Sequence, residues 1–231
     1  MTWFFVKEPD PTVDAPRRTR FSAARIREVF RMPVVWLQAL IVICAYVGYK
    51  GIDYYSLFAV EVYGMSEVEG ARISAMGAWI RPFAALGAGL LGDRILSSRT
   101  TSLGFILLGS AYLVSAVTEI GSATVSIFFL NVAVTSVAVY GLRGVYFALL
   151  EEGAIPGAAT GTAVGIVSVL GYSPDVFFSV LAGWLIDNYP GALGYRYFCL
   201  LIVGFASVGL VASLIFTRIA RSFRLRRALG S

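Results

Sequence analysis

Six long apolar stretches follow one another along the chain, each close to or above the roughly 20 residues that a helix needs to cross a bilayer. They cover residues 33–62, 71–92, 101–118, 122–150, 157–186 and 196–217. The stretches are rich in glycine and alanine and lack the period of two that a membrane β-strand would show, which favours helices over a barrel. The pattern predicts an all-α integral membrane protein with six transmembrane helices.

Segments of different character flank the predicted membrane domain, residues 33–217. Residues 1–32 begin with a six-residue apolar stub, continue as a proline-containing polar linker and end in a basic segment. That basic segment suits either a short interfacial helix, with Ile26, Val29 and Phe30 facing lipid, or a plain basic flank. Residues 218–231 form a basic tail. The stub looks like the last turn of a helix whose beginning is missing, so we expect a truncated or split gene.

The composition agrees with a lipid environment. Of the 231 residues, 58% are hydrophobic and only 14% are charged, whereas a soluble domain is about 25% charged. Histidine is absent, which removes the imidazole base and metal ligand. Cys44 and Cys199 both lie in apolar runs, and we interpret them as small buried hydrophobic residues. There is no P-loop, no cluster of metal ligands and no nucleophile with a base, so we predict neither an enzyme nor a cofactor.

The net charge of +5 comes mainly from the two ends of the chain. Seven of the 19 basic residues lie before residue 33 and five lie after residue 217. An even number of spans puts both termini on one side, and the basic tails, with Arg94 and Arg99, place that side in the cytoplasm. This distribution indicates a protein of the cytoplasmic (inner) membrane rather than one that binds nucleic acid.

An internal repeat divides the six spans into two units of three. Residues 48–52 (Gly-Tyr-Lys-Gly-Ile) resemble residues 141–145 (Gly-Leu-Arg-Gly-Val) at an offset of 93. Residues 88–93 (Ala-Gly-Leu-Leu-Gly-Asp) resemble residues 182–187 (Ala-Gly-Trp-Leu-Ile-Asp) at an offset of 94. Because each unit has an odd number of spans, the two copies must be antiparallel in the membrane. Such inverted three-helix repeats occur within each six-helix half of one large transporter class.

These features together resemble the C-terminal six-helix half of a major facilitator superfamily transporter, of the organic-anion or sugar-phosphate type. Gly89, Asp93 and Arg94 match that superfamily's signature between the second and third helices of a half. Of the basic residues that come later in the signature, this chain has only Arg99. The resemblance implies that Gly89, Asp93 and Arg94 act as a conformational latch; a solvated loop that merely ends the helix is the alternative. It also implies alternating access against a second six-helix half, either a missing N-terminal half or another copy of this chain.

Charged residues within the spans are the candidate site, because each costs roughly 2.5–3.5 kcal/mol at the centre of a membrane helix. Arg81 precedes Asp93 by 12 residues, about 18 Å of helix, which places it near the midplane. Asp175 has the equivalent depth in the inverted copy. Lys50 and Arg143 are also related by the repeat.

Two interpretations of these charges compete. In the first, Arg81, with Lys50 or Arg143 beside it, faces a central cavity and binds an anionic group of the substrate. In the second, Arg81 pairs with Asp175 and Lys50 pairs with Asp53, as packing or gating contacts. Tyrosines of the same spans supply hydroxyl donors and stacking area: Tyr46, Tyr54 and Tyr146 foremost, with Tyr49, Tyr140 and Tyr172.

The function predicted from these residues is secondary transport of a small, anionic solute. Asp53 and Asp175 are the candidates for coupling to H⁺ or Na⁺, because a desolvated carboxylate titrates closer to neutrality. Glu151 and Glu152 are expected to be solvated, and Gly161 with Gly165 predicts close helix packing. The alternatives are a membrane scaffold or receptor that does not transport, and an inactive fragment. The sequence leaves the solute, the coupling ion and the direction of transport open.

Overall fold

The computed structural model describes residues 23–119 and 124–228, and in both ranges the regular structure is helical. The helices are α1 (Ala23–Phe30), α2 (Pro33–Ile52), α3 (Tyr55–Glu61), α4 (Glu67–Ile95), α5 (Ser97–Val117), α6 (Val125–Val145), α7 (Leu149–Glu152), α8 (Gly157–Gly171), α9 (Pro174–Asn188) and α10 (Ala192–Ala228). The apolar stub and linker predicted before residue 21 lie outside the described residues. So does the start of the span predicted at residue 122.

The helices from α2 to α10 combine into six rods, which match the six predicted spans. Three rods consist of two helices each, α2 with α3, α6 with α7 and α8 with α9, and the other three are α4, α5 and α10. Within the described residues, five rods contain a stretch long and apolar enough to cross a membrane. The remaining rod, α4, has 29 residues and carries Arg81 near its middle. The all-α membrane fold predicted from the sequence is confirmed.

The packing of the rods follows the inverted repeat. The first rod, α2 with α3, packs against the second and third rods of the other unit, α8 with α9 and α10. In the same way, α6 packs against α4 and α5, its partners in the opposite unit. The third rods, α5 and α10, pack against each other. Each unit therefore completes the other, and neither three-helix unit buries its apolar faces by itself.

The first rod of each unit is interrupted at equivalent positions. Asp53 and Tyr54 separate α2 from α3, and Tyr146 to Ala148 separate α6 from α7, which agrees with the repeat offset of 93. The third interrupted rod breaks at Tyr172 and Ser173, just before Pro174 begins α9. Proline lacks an N–H and cannot continue the helical bonding pattern, so it explains this last break.

Small residues let α4 and α6 approach closely. A Cβ added at Gly144 would lie 2.9 Å from the backbone oxygen of Ala85, so only glycine fits there. The close packing predicted for Gly161 and Gly165 of α8 is wrong for the described chain. Both glycines are exposed and have no neighbour within 4 Å of an added Cβ. Their spacing is right for packing, but the described helices leave that face of α8 open.

Two segments at the edges of the predicted spans make specific contacts. Val29 of α1 is fully buried against the bundle instead of facing lipid. At the start of α4, the Ser66 backbone N–H and hydroxyl both donate to the Glu69 carboxylate at 2.8 Å. These bonds lower the pKa of Glu69, which precedes the predicted span, below its usual value of 4.5. The Glu69 backbone N–H donates in turn to Ser66 Oγ at 3.3 Å, which completes a capping box and satisfies a donor that the first helical turn leaves unpaired.

Candidate functional site

One face of α2 forms the centre of the candidate site. Tyr46, Tyr49 and Lys50 are spaced three and four residues apart, so they project from the same side of the helix, and all three are half-buried. Around them lie residues of α4, α6 and α9. We name this group the central cluster: Tyr46, Tyr49, Lys50, Asp53, Arg81, Tyr140, Arg143 and Asp175. None of its members comes from α5 or α10, which pack together elsewhere in the bundle.

Lys50 is held by two carboxylates. Its Nζ lies 3.2 Å from Asp53 Oδ2, one helical turn away, and 3.5 Å from Asp175 Oδ1 at the start of α9. Tyr46 Oη donates a hydrogen bond of 2.8 Å to Asp175 Oδ2. The predicted Lys50–Asp53 pair is therefore present. The predicted Arg81–Asp175 pair is wrong, because both Asp175 oxygens are engaged by residues of α2.

The two arginines of the cluster contact aromatic rings instead of carboxylates. The Arg143 guanidinium carbon lies 4.1 Å from the centroid of the Tyr49 ring, and that of Arg81 lies 5.9 Å from the Tyr140 ring. The Tyr49 and Tyr140 rings meet edge to face at 6.3 Å. Within residues 26–119 and 124–223, neither guanidinium has an ion pair. Arg81 is exposed and Arg143 is half-buried.

The remaining tyrosines occupy different surroundings. Tyr172 packs edge to face on Tyr46 at 4.9 Å, and its hydroxyl is 3.4 Å from that of Tyr146. Tyr146 is almost fully buried, and its backbone oxygen accepts a 2.9 Å bond from the buried Gln38 side chain. Tyr54 packs against Phe198 at 4.9 Å, in an aromatic group outside the central cluster. The substrate roles predicted for Tyr54 and Tyr146 stay predictions, and neither residue directly contacts an arginine of the cluster in the described contacts.

Of the three tyrosines that contact the arginines, Tyr46 was a foremost candidate and lies 5.9 Å from the Arg143 guanidinium carbon, whereas Tyr49 and Tyr140 were not among the foremost candidates. A signal for them existed in the sequence. Tyr49 is adjacent to Lys50, and Tyr140 precedes Arg143 by one helical turn. Which of six tyrosines stacks on which arginine depends on how neighbouring helices are rotated about their axes, and spacing within one helix does not specify that.

The predicted latch residues lie at the end of α4, away from the central cluster. Asp93 and Arg94 are exposed, and Gly89 is half-buried with open space around it. Beyond them, Glu152 Oε1 accepts a 3.0 Å bond from the Ser98 backbone N–H in the first turn of α5. The solvated state predicted for Glu152 is therefore wrong, because the carboxylate caps a helix start. Glu151 is exposed, as expected.

Potential metal ligands are scattered through the described chain. In residues 23–119 and 124–228 there is no group of three or more Cys, Asp or Glu side chains placed to hold a metal ion. Cys44 and Cys199 are both buried and free, as the sequence predicted. Neither cysteine is part of the central cluster.

A bundle of two inverted three-helix units with a charged cluster between its helices is the architecture of a transporter half. The profile of the Major Facilitator Superfamily matches residues 1–179, and the chain belongs to this family of membrane transport proteins. Two relatives from Escherichia coli K12 are similar along most of the chain. Inner membrane protein YqcE is 29% identical over 220 residues, which is 91% of this chain and 51% of the relative.

The second relative, inner membrane protein YihN, is 25% identical over 228 residues, which is 93% of this chain and 53% of the relative. The chain thus spans about half the length of the curated relatives that it matches. Membership of a transporter family agrees with the prediction that the chain is not an enzyme.

Proposed function

We propose that this chain transports a small anionic solute by alternating access, as one six-helix half of a transporter in the inner membrane. The second half is either an N-terminal half or another copy of this chain. The basic residues at both ends support cytoplasmic termini. The names of the two relatives, both inner membrane proteins, support this location.

The observation that carries the anion assignment is the unequal distribution of carboxylates in the central cluster. Lys50 takes both Asp53 and Asp175, whereas Arg81 and Arg143 have ring contacts but no ion pair within residues 26–119 and 124–223. An arginine held by a ring face keeps its planar set of N–H donors for a carboxylate, phosphate or sulfonate. Two arginines within membrane helices that have no ion pair among these residues are costly, which favours a role in binding over a scaffold.

Lys50 has a different role in this proposal. Because two carboxylates neutralise it, Lys50 is less suited to binding the solute than Arg81 or Arg143 while these ion pairs persist. Asp53 and Asp175 are the candidate groups for coupling to H⁺ or Na⁺, since loading either carboxylate would weaken its hold on Lys50. The hydrogen bond that Tyr46 donates to Asp175 would also change when this carboxylate is loaded. Gly89, Asp93 and Arg94 are proposed to act as the latch against the second half.

A binding screen with a matched control tests the assignment of Arg81. The purified chain in detergent is melted in the presence of anionic, neutral and cationic metabolites at constant ionic strength. A solute at 100 times its Kd should stabilise the folded state by about 2.7 kcal/mol. We expect the stabilising solutes to be anions, and Arg81→Gln to abolish their effect. The control is Arg72→Gln, because Arg72 is exposed near the start of the same helix.

Two results would contradict parts of this proposal. Stabilisation only by neutral or cationic solutes, or by an anion whose effect survives Arg81→Gln, would reject the anion site. For a solute that binds, uptake is then measured in sealed vesicles that contain the chain. Uptake that depends on Arg81 would support a transporter whose second half is another copy of this chain. Binding without uptake would leave a receptor, or a transporter that needs a separate N-terminal half.

A further inference from the structure

A large cavity of the described chain lies outside the central cluster, on the surface between α4, α5 and α6. It measures about 650 Å³ and is lined by Met76, Phe83, Gly87 and Leu91 of α4, Leu103 of α5 and Val137 of α6, among others. Apart from the Thr100 hydroxyl and the Trp79 indole nitrogen, its side chains are apolar. We call it the α4–α5 groove. In a membrane-spanning bundle, such a surface faces hydrocarbon unless another protein covers it.

The shape of the α4–α5 groove suits a long, narrow, apolar ligand. It extends along α4 from Met76 to Leu91, which is about 22 Å at 1.5 Å per residue. This length exceeds the roughly 15 Å depth of one leaflet's hydrocarbon, half of the ~30 Å core. Gly87 contributes open space, since an added Cβ there meets nothing within 4 Å. Trp79 and Phe83, each about three-quarters exposed, form its rim.

Two arginines lie beyond the lining residues at one end of the groove, in the last turn of α4 and the first turn of α5. Arg94 follows Leu91 by three residues and Gly87 by seven, so it projects from the groove face of α4. On α5, Arg99 precedes Leu103 by four residues and Thr100 by one, so it lies at the edge of the face that lines the groove. Both are exposed, and among the described residues neither has an ion pair. Asp93 follows Leu91 by only two residues and therefore points to another side of α4.

We propose that the α4–α5 groove binds one acyl chain of an anionic phospholipid, whose phosphate is held by Arg94 and Arg99. The lipid belongs to the leaflet that contacts the connection between α4 and α5. Apolar walls longer than one leaflet is deep, with two cations just beyond one end, match the two parts of such a lipid. A zwitterionic lipid has no net charge for the arginines to attract. The proposal does not depend on the identity of the transported solute. Because Arg94 also belongs to the proposed latch, Arg99 is the residue to test.

The test is lipid retention by the purified full chain, measured by native mass spectrometry after exchange into detergent with equimolar phosphatidylglycerol and phosphatidylcholine. We expect the chain to retain one phosphatidylglycerol in preference to phosphatidylcholine. Arg99→Gln should lower that preference about fivefold, the factor that ~1 kcal/mol per surface arginine corresponds to. Gly87→Leu should fill the groove and lower retention of both lipids. The control is Gly183→Leu, because Gly183 of α9 has equally open space but lies outside the groove.

Several outcomes would overturn the proposal. Equal retention of the two lipids, or retention unchanged in both Arg99→Gln and Gly87→Leu, would show an unselective lipid belt. A dimer that Gly87→Leu dissociates without changing lipid retention would show that a second copy of the chain covers the groove. Loss of retention in Gly183→Leu as well as in Gly87→Leu would assign the effect to the helix substitutions themselves. The melting temperatures of all the variants are recorded, so that unfolding is not mistaken for lost binding.

Discussion

The contact between Lys50 and Asp175 ties α2 to α9, and a double-mutant cycle measures its strength. The two changes are Lys50→Met, which keeps an unbranched side chain one atom shorter and without the charge, and Asp175→Asn, which keeps the shape of the carboxylate. The amide oxygen that the second change introduces would still accept the hydrogen bond from Tyr46. The cycle therefore isolates the loss of the ion pair between the two rods.

The structure sets the expected size of this coupling. At the observed 3.5 Å, two unit charges attract by about 1.2 kcal/mol in bulk water and by about 4.7 kcal/mol at an effective dielectric constant of about 20. The Asp175 side chain is 52% exposed, so solvent screens the pair and the lower figure applies. Lys50 also keeps Asp53 at 3.2 Å when Asp175 is neutralised. We expect a coupling of about 1 kcal/mol, with Lys50→Met costing more than Asp175→Asn.

The measurement is the free energy of unfolding in detergent for the unmodified chain, both single variants and the double variant. A second cycle combines Lys50→Met with Asp187→Asn as the control, since Asp187 is exposed at the far end of α9. That control should be additive within about 0.3–0.5 kcal/mol, as independent sites usually are. A Lys50–Asp175 coupling inside the same range would refute the idea that this ion pair links the two rods.

Two further predictions concern the arginines and the helix contacts. Tyr49→Leu should remove about 1 kcal/mol of cation–π attraction and, because Arg143 is then less ordered, weaken the binding of anions about fivefold. Tyr49→Phe should retain the attraction and the affinity. A titration of the unmodified chain and both variants with a stabilising anion tests this prediction, and equal affinities would contradict it. Gly144→Val should destabilise the fold by about 1–3 kcal/mol because its side chain meets the Ala85 backbone, while Gly183→Val, in open space, should cost less than about 1 kcal/mol. Unfolding midpoints of the two valine variants decide this second prediction, and similar losses would contradict the α4–α6 contact.

Much of the candidate site followed from the sequence because the membrane makes charges rare and costly. Arg81 and Asp175 could be selected by depth, and Lys50 and Arg143 as charges within the spans that the repeat relates. The Lys50–Asp53 pair followed from the spacing of the two residues. The pairing of Arg81 with Asp175 could not be judged in this way. Equal depth puts two residues at one level of the bilayer, but the rotation of each helix about its axis decides which way each side chain points.

The helix interruptions also divide into one that the sequence indicates and two that only the folded chain reveals. Pro174 marks the break between α8 and α9 in the sequence. The break after Ile52 and the break after Val145 carry no proline, and they became apparent only as equivalent positions of the two units in the folded chain. The Gln38 side chain supports the second break by donating to the Tyr146 carbonyl, a contact across 108 residues that local sequence does not reveal.

By itself, the sequence determined the membrane environment, the six spans, their inverted repeat and the small set of charges near the midplane. These properties depend on hydrophobicity, length and spacing, which are local and can be summed along a chain. Only the tertiary structure decided that Asp175 pairs with Lys50, that Tyr46, Tyr49 and Tyr140 face the arginines, and that an apolar groove lies between α4, α5 and α6. Those contacts depend on how helices from opposite units turn and approach one another, and the packing of the whole bundle sets that geometry.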